Sequence, residues 1–244
     1  MLILSRLERL RAMALRKLIH VVLSVFLIIP FIMNLGIYGI STTLYFTLIT
    51  LIVSVIYVIQ VKRPIITIML LDALTSARRS ILQQITKSPI SSAIPLDTLD
   101  DSLMKLEKTV KELLDSVERD YERRGGYLGI LMGGAIGVLI SQLLTGNYVI
   151  YGIISVIIYD TMSALGGTLL GRVKLPFSNA TMEGALVGMA SLAIVLFILT
   201  NQLIGPLAIT VVAALAEAYG MEDNLAIPVT TSLIALVLKL PIIV

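Results

Sequence analysis

Blocks of about 20 apolar residues recur along this chain, and they limit its fold more than any other feature. That length crosses the hydrocarbon core of a bilayer as a helix. "LYFTLITLIVSVIYVIQ" (44–60) and "SLAIVLFILT" (191–200) are representative stretches. A soluble chain is near half apolar and a quarter charged; here the shares are 57% and 14%. The pattern predicts an all-α, polytopic membrane bundle of about seven spans, near 18–35, 37–60, 127–145, 147–170, 184–203, 205–218 and 225–243. The basic segment "RLERLRAMALRK" (6–17) before the first apolar run has the charge order of a signal peptide. It lacks a small-residue cleavage site, so it is expected to persist as part of a first helix. With no cysteine there is neither a disulfide framework nor a thiolate metal site. A net charge of +3 and the absence of any nucleic-acid motif argue against nucleic acid as a partner.

Charge predicts the orientation. Of the 19 Lys and Arg residues, 18 fall before span one, between spans two and three, or between spans four and five. The opposite connections, "NLGIYG", "TGN" and "NQLIG", are uncharged. Basic residues stay on the cytoplasmic side, so the N-terminus is expected inside and the C-terminus outside.

Three regions follow: 1–63 with the N-terminal amphipathic helix and spans one and two, a cytoplasmic hairpin at 64–126, and 127–244 with spans three to seven. In the hairpin, Leu99, Leu103, Leu106, Val110, Leu113 and Val117 step by three and four residues alternately. Such a seam packs on another helix. Leu71, Leu74, Ile81 and Ile85 supply a partner, and "SPISSAIP" (88–95) the turn between them. The same seam over 64–122 also suits a homodimer.

Against this apolar background the polar residues in or beside the spans stand out. A carboxylate within a span costs roughly 2.5–3.5 kcal/mol on insertion scales, so its presence points to a function. Asp160 lies about eleven residues from the end of span four, about 16 Å deep in a straight helix. Gly166, Gly167 and Gly171 follow it and would let the helix break early and let backbone amides approach a ligand. Irregular backbone at that depth is tolerated only where it lines a cavity. The bland alternative pairs Asp160 with Arg172 or Lys174, leaving Glu183 to cap span five. Arg16, Lys17 and His20 share one helical face at the expected cytoplasmic mouth. Carboxylates beside Arg and Lys suit Mg²⁺ bridging the phosphates of a nucleotide, since Mg²⁺ takes oxygen ligands and usually only one or two protein carboxylates.

Four segments in order carry a resemblance. "DTMSALGGTLLGRVKL" (160–175) resembles the Asp–x–x–Ala/Ser–x–x–x–Gly–x–x–x–Gly–Lys/Arg–x–Lys segment of the CTP-dependent polyprenol kinases, the dolichol kinase and phytol kinase family, which is related to phosphatidate cytidylyltransferases. "LRKLIH" (15–20) is similar to the Arg-Lys-x-x-His of the family's first span, and "TMEGALVG" (181–188) to its Thr/Ser-x-Glu-Gly. "AEAYGMEDNLAIP" (216–228) looks like its Glu…Asp-Asn-x-x-x-Pro. The likeness covers most of the chain outside 64–122. Asn179 and Ala180 stand where the family carries lysines, and Thr168 where it often has a cation.

The resemblance implies an integral membrane enzyme that moves the γ-phosphate of CTP onto a long-chain isoprenoid alcohol such as dolichol. It implies catalytic roles for Asp160, Glu183 and His20, and nucleotide or phosphate contacts from Arg16, Lys17, Gly167, Gly171, Arg172, Lys174 and Asn224. It implies Mg²⁺ on Asp160, Glu217 and Asp223. The alternatives are cytidylyl transfer, a diacylglycerol-type kinase, and a non-enzymatic transporter or lipid-binding relative.

Overall fold

A computed structural model describes residues 6–33, 35–62, 65–86, 99–105, 107–108, 128–220 and 222–243. Among these the chain is helical, with no strand beyond one isolated bridge pairing Lys174 with Thr181. Helix α1 (Arg6–Ile32) joins the basic segment and the first apolar run without a break. A short turn at Leu35–Tyr38 leads to α2 (Thr42–Lys62), whose start is capped by the Ser41 hydroxyl accepting from the Leu44 amide at 3.1 Å. Helix α3 (Ile65–Thr86) follows. After residue 127 come α4 (Leu128–Thr145) and α5 (Val149–Ser155), then a π-helical turn at Val156–Asp160 and α6 (Thr161–Leu170). Helices α7 (Met182–Thr200), α8 (Ile204–Tyr219) and α9 (Asp223–Val237) complete the described chain.

Three stretches are long and apolar enough to cross a membrane: Thr42–Ile59, Gly133–Leu170 and Met182–Thr200. The apolar parts of α1, α8 and α9, at His20–Ile32, Ile204–Tyr219 and Asp223–Val237, are shorter than a full crossing. Of the seven expected spans, the first, sixth and seventh therefore fall on apolar stretches shorter than a full crossing.

The 38-residue stretch Gly133–Leu170 reverses at Gly146, which takes φ +59°, a conformation easy only for glycine. Packing on α9 reveals the reversal. A side chain at Gly133 would touch Asn224 and one at Gly137 would strike Pro228, so α4 runs alongside α9. On α5 the order is opposite: the Tyr151 hydroxyl donates to the Pro241 carbonyl at 2.6 Å, beyond the far end of α9. Pro228 has no amide to bond the carbonyl of Asn224, and α4 presses its Gly137 surface onto that carbonyl.

The chain divides into two compact units, residues 1–55 with 128–244, and residues 56–127. In the first, Tyr151, Tyr159, Leu192, Leu196, Ile209 and Ile227 form one buried cluster and Leu27, Phe46, Val138, Val149 and Ile153 another. Hydroxyls within the spans return to the carbonyl one turn back, as Ser141 does to Gly137 and Ser155 to Tyr151, each at 2.7 Å. Such bonds satisfy polar groups where no water is at hand. In the second unit, Arg78 of α3 bridges Asp100 at 2.8 Å and Glu107 at 3.2 Å, and the Thr75 hydroxyl also bonds Glu107. Leu74, Ile85, Leu99 and Leu103 are half-buried there, whereas Ile81 is exposed, which removes it from the expected seam. The turn at 88–95, the side chain of Leu71 and the seam positions Leu106, Val110, Leu113 and Val117 lie outside the described residues.

Candidate functional site

Helix α1 packs on α6 and on the π-helical turn, and this brings the first and fourth apolar runs together at Asp160. Lys17 and His20 are three residues apart, so they lie one above the other on a single face of α1. The Lys17 ammonium donates to Asp160 Oδ1 at 2.5 Å, and His20 Nδ1 lies 3.0 Å from Oδ2. All three side chains are buried, with exposures of 7% or less by whole residue. In a low dielectric neither ion would persist alone, and each makes the other tenable. Oδ2 has no well-aligned hydrogen bond and so retains an unused acceptor direction beside the imidazole.

The π-helical turn shapes this site. One wide turn allows Tyr159 and Asp160, adjacent in sequence, both to be buried while serving different partners. Tyr159 donates to Glu217 Oε2 at 2.9 Å. Ser163, one turn on, donates to Glu217 Oε1 at 2.5 Å, with its Oγ also 3.4 Å from the Asp160 carbonyl. Single π turns inside α-helices concentrate at functional sites. Tyr159 and Ser163 were not among the residues singled out from the sequence. Their four-residue spacing beside Asp160 was the available signal.

A second group lies at the end of α6. The helix runs through Gly166 and Gly167 and stops only at Gly171. The early break expected at the glycines does not occur. The absent Cβ atoms serve close packing: one at Gly167 would sit 2.9 Å from Thr181 Oγ1, and one at Gly171 would sit 2.2 Å from the Gly167 carbonyl oxygen. Beyond Gly171 the chain makes a tight loop, with Leu175 N donating to Ala180 O at 2.9 Å and Met182 N to Val173 O at 2.8 Å. Glu183 Oε2 accepts from the Arg172 amide at 3.0 Å, and both its oxygens lie 3.3 Å from the Val173 amide. Thr181 caps α7 through the Gly184 amide at 3.2 Å. The Arg172 and Lys174 side chains are exposed on this loop. Asp160 is paired with Lys17 and His20, so the bland alternative of a pair with Arg172 or Lys174 is not what the fold makes.

Of the remaining candidates, Asn224 is buried at the start of α9 against Gly133, and its backbone N–H donates to Asp223 Oδ1 at 2.9 Å. Arg16 lies in α1, and its side chain is outside the described residues. Among the described residues no three His, Asp or Glu side chains converge as a metal cage. Ser163 joins the Glu217 carboxylate to the backbone carbonyl of Asp160, not to its carboxylate. No family model, curated protein or solved structure matches the chain.

Proposed function

We propose that this chain is an integral membrane lipid kinase that transfers the γ-phosphate of CTP to a long-chain isoprenoid alcohol. The observation carrying this reading is the junction of the resembling segments. Lys17 and His20 of the first meet Asp160 of the second, Ser163 of the second meets Glu217 of the fourth, and Glu183 of the third meets the Arg172 amide. Segments up to 143 residues apart in sequence share bonds, and a catalytic site would require that convergence. The choice of CTP rests on the resemblance alone.

In this reading His20 is the proton acceptor. With Nδ1 turned to Asp160, the nitrogen left for substrate is Nε2, and the carboxylate steadies the imidazolium that forms. The alcohol gives its proton to Nε2 as its oxygen bonds to the γ-phosphorus. The bond from that phosphorus to the β–γ bridging oxygen breaks, and CDP leaves. Lys17 offsets the charge on the phosphoryl oxygens. Asp160 and Glu217 would hold Mg²⁺ jointly with the nucleotide, and the ion would neutralise phosphate charge. Seven crossings with the N-terminus and the site on the cytoplasmic side complete the proposal.

The test uses the full chain in sealed vesicles of known orientation, with an isoprenoid alcohol and CTP labelled at the α or the γ phosphate. Only γ label should enter the lipid, and only when CTP is on the face bearing the N-terminus. Transfer of α label would make the protein a cytidylyltransferase, and transfer of neither would sink the enzyme reading.

A further inference from the structure

A cavity of about 360 Å³ lies beside the ion cluster, lined by α1, α2, α4 and the π-helical turn. Its walls are apolar, with Ile52, Val53, Gly134 and Val138 prominent, and its polar lining comes from His20 and Ser24. Two lining residues, Phe26 and Ile52, are 55% and 54% exposed on the outer surface of spans one and two. In a membrane that surface faces acyl chains, so the cavity opens sideways to lipid.

Gly134 marks its emptiest part. It is buried, yet a Cβ built there would meet no atom within 4 Å. A buried helical glycine with open space before it contrasts with Gly137, whose Cβ would strike Asn224, Leu225 and Pro228 at 2.9 Å. Close packing is the rule in protein interiors, so open space at this depth calls for an occupant.

We infer that this slot holds the hydroxyl-bearing end of a single-chain lipid alcohol, laid between α1, α2 and α4 with its oxygen at His20. The chemistry at the two ends fits that occupant: an apolar wall open to lipid, and one imidazole at the inner end, itself anchored on Asp160. The volume is near the lower bound of about 300–1,000 Å³ for ligand sites, suiting one chain and excluding two side by side. The identity of the subsequent reaction rests on the kinase reading, whereas binding in the slot does not.

The test is photolabelling of the full chain in nanodiscs, without nucleotide, by a diazirine-bearing isoprenoid alcohol. Cross-links should map to Ile49–Val53 or Gly134–Val138, with competition from an unlabelled isoprenoid alcohol and none from a diacylglycerol. Gly134→Leu fills the open space, and labelling should fall by about tenfold or more, equivalent to about 1.4 kcal/mol of binding. Val211→Leu, on the outer face of α8, should leave labelling unchanged. Cross-links confined to other helices, competition by diacylglycerol, or full labelling of folded Gly134→Leu would overturn the inference. If Gly134→Leu does not fold, the wild-type map and competition decide. Labelling in the slot without phosphate transfer would remove the kinase reading and keep the slot. Transfer undiminished in Gly134→Leu would do the reverse.

Discussion

Asp160 and Glu183 sit in neighbouring segments of one motif-bearing region, and the fold satisfies them by opposite means. Asp160 is buried between an ammonium and an imidazole from another helix, 143 residues away for Lys17. Glu183 lies at the first turn of α7 and takes backbone amides from the adjoining loop. The first arrangement depends on tertiary packing of α1 and concentrates charge in an apolar setting. The second is local, partly solvated, and shapes a loop. The deep carboxylate is thus held by side chains from a distant helix, and the one at a helix start by neighbouring backbone amides.

The strongest way to break this contrast is Asp160→Asn. It leaves the buried Lys17 ammonium without its counter-ion, and removing one partner of a buried pair costs about 3–5 kcal/mol. The melting temperature in detergent should fall sharply. An amide inserts into a bilayer more readily than a carboxylate, so a fall in melting temperature would show that the pairing with Lys17 outweighs that gain. An unchanged melting temperature would mean that Lys17 finds another partner or leaves the interior.

The joint between the two regions is Gly171, and it offers the next effect. Gly171→Ala places a methyl 2.2 Å from the Gly167 carbonyl oxygen and 2.9 Å from Thr181 Cγ2. Overpacking of this kind costs about 1–3 kcal/mol. Gly167→Ala should cost less, since its one close contact is the Thr181 hydroxyl at 2.9 Å and not a backbone carbonyl at 2.2 Å. Thermal unfolding of the two variants ranks them, and the reverse order would contradict the packing described for α6 and α7.

The smallest effect is expected at Glu183→Ala. Hydrogen exchange at the Arg172 and Val173 amides should quicken while the melting temperature stays close to wild type. A loss of stability matching that of Asp160→Asn would erase the distinction between the two carboxylates.

The sequence made much of this readable. Each of the seven apolar runs corresponds to a helix or helical stretch, because a 20-residue apolar block has few other options in lipid. Lys17, His20 and Asp160 were all identifiable, the first two by helical spacing and the third by its setting. Their contact was not, since spacing along one helix says nothing of which other helix packs against it; the only partners that proximity in sequence offered were Arg172 and Lys174, as the bland alternative. The π-helical turn escaped notice for a similar reason. "VIIYD" carries no local signal of a widened turn, and the turn is explained by the two sets of partners it serves. Glycines in a span suggest a break in the helix, but the missing side chains after Asp160 make room for Thr181 and for Gly184.

The central claim is that the buried Lys17–Asp160–His20 cluster performs chemistry and is not only a structural pair. The double variant Lys17→Met with Asp160→Leu removes both ions together, and apolar replacement of a buried pair is often neutral or stabilising. Its γ-phosphate transfer from CTP to an isoprenoid alcohol should be measured beside wild type in the same nanodiscs, after its melting temperature is shown to match. The account predicts a folded protein whose transfer has fallen by about a hundredfold or more, the scale of losing a pre-placed electrostatic partner. Wild-type transfer from the folded double variant would contradict it.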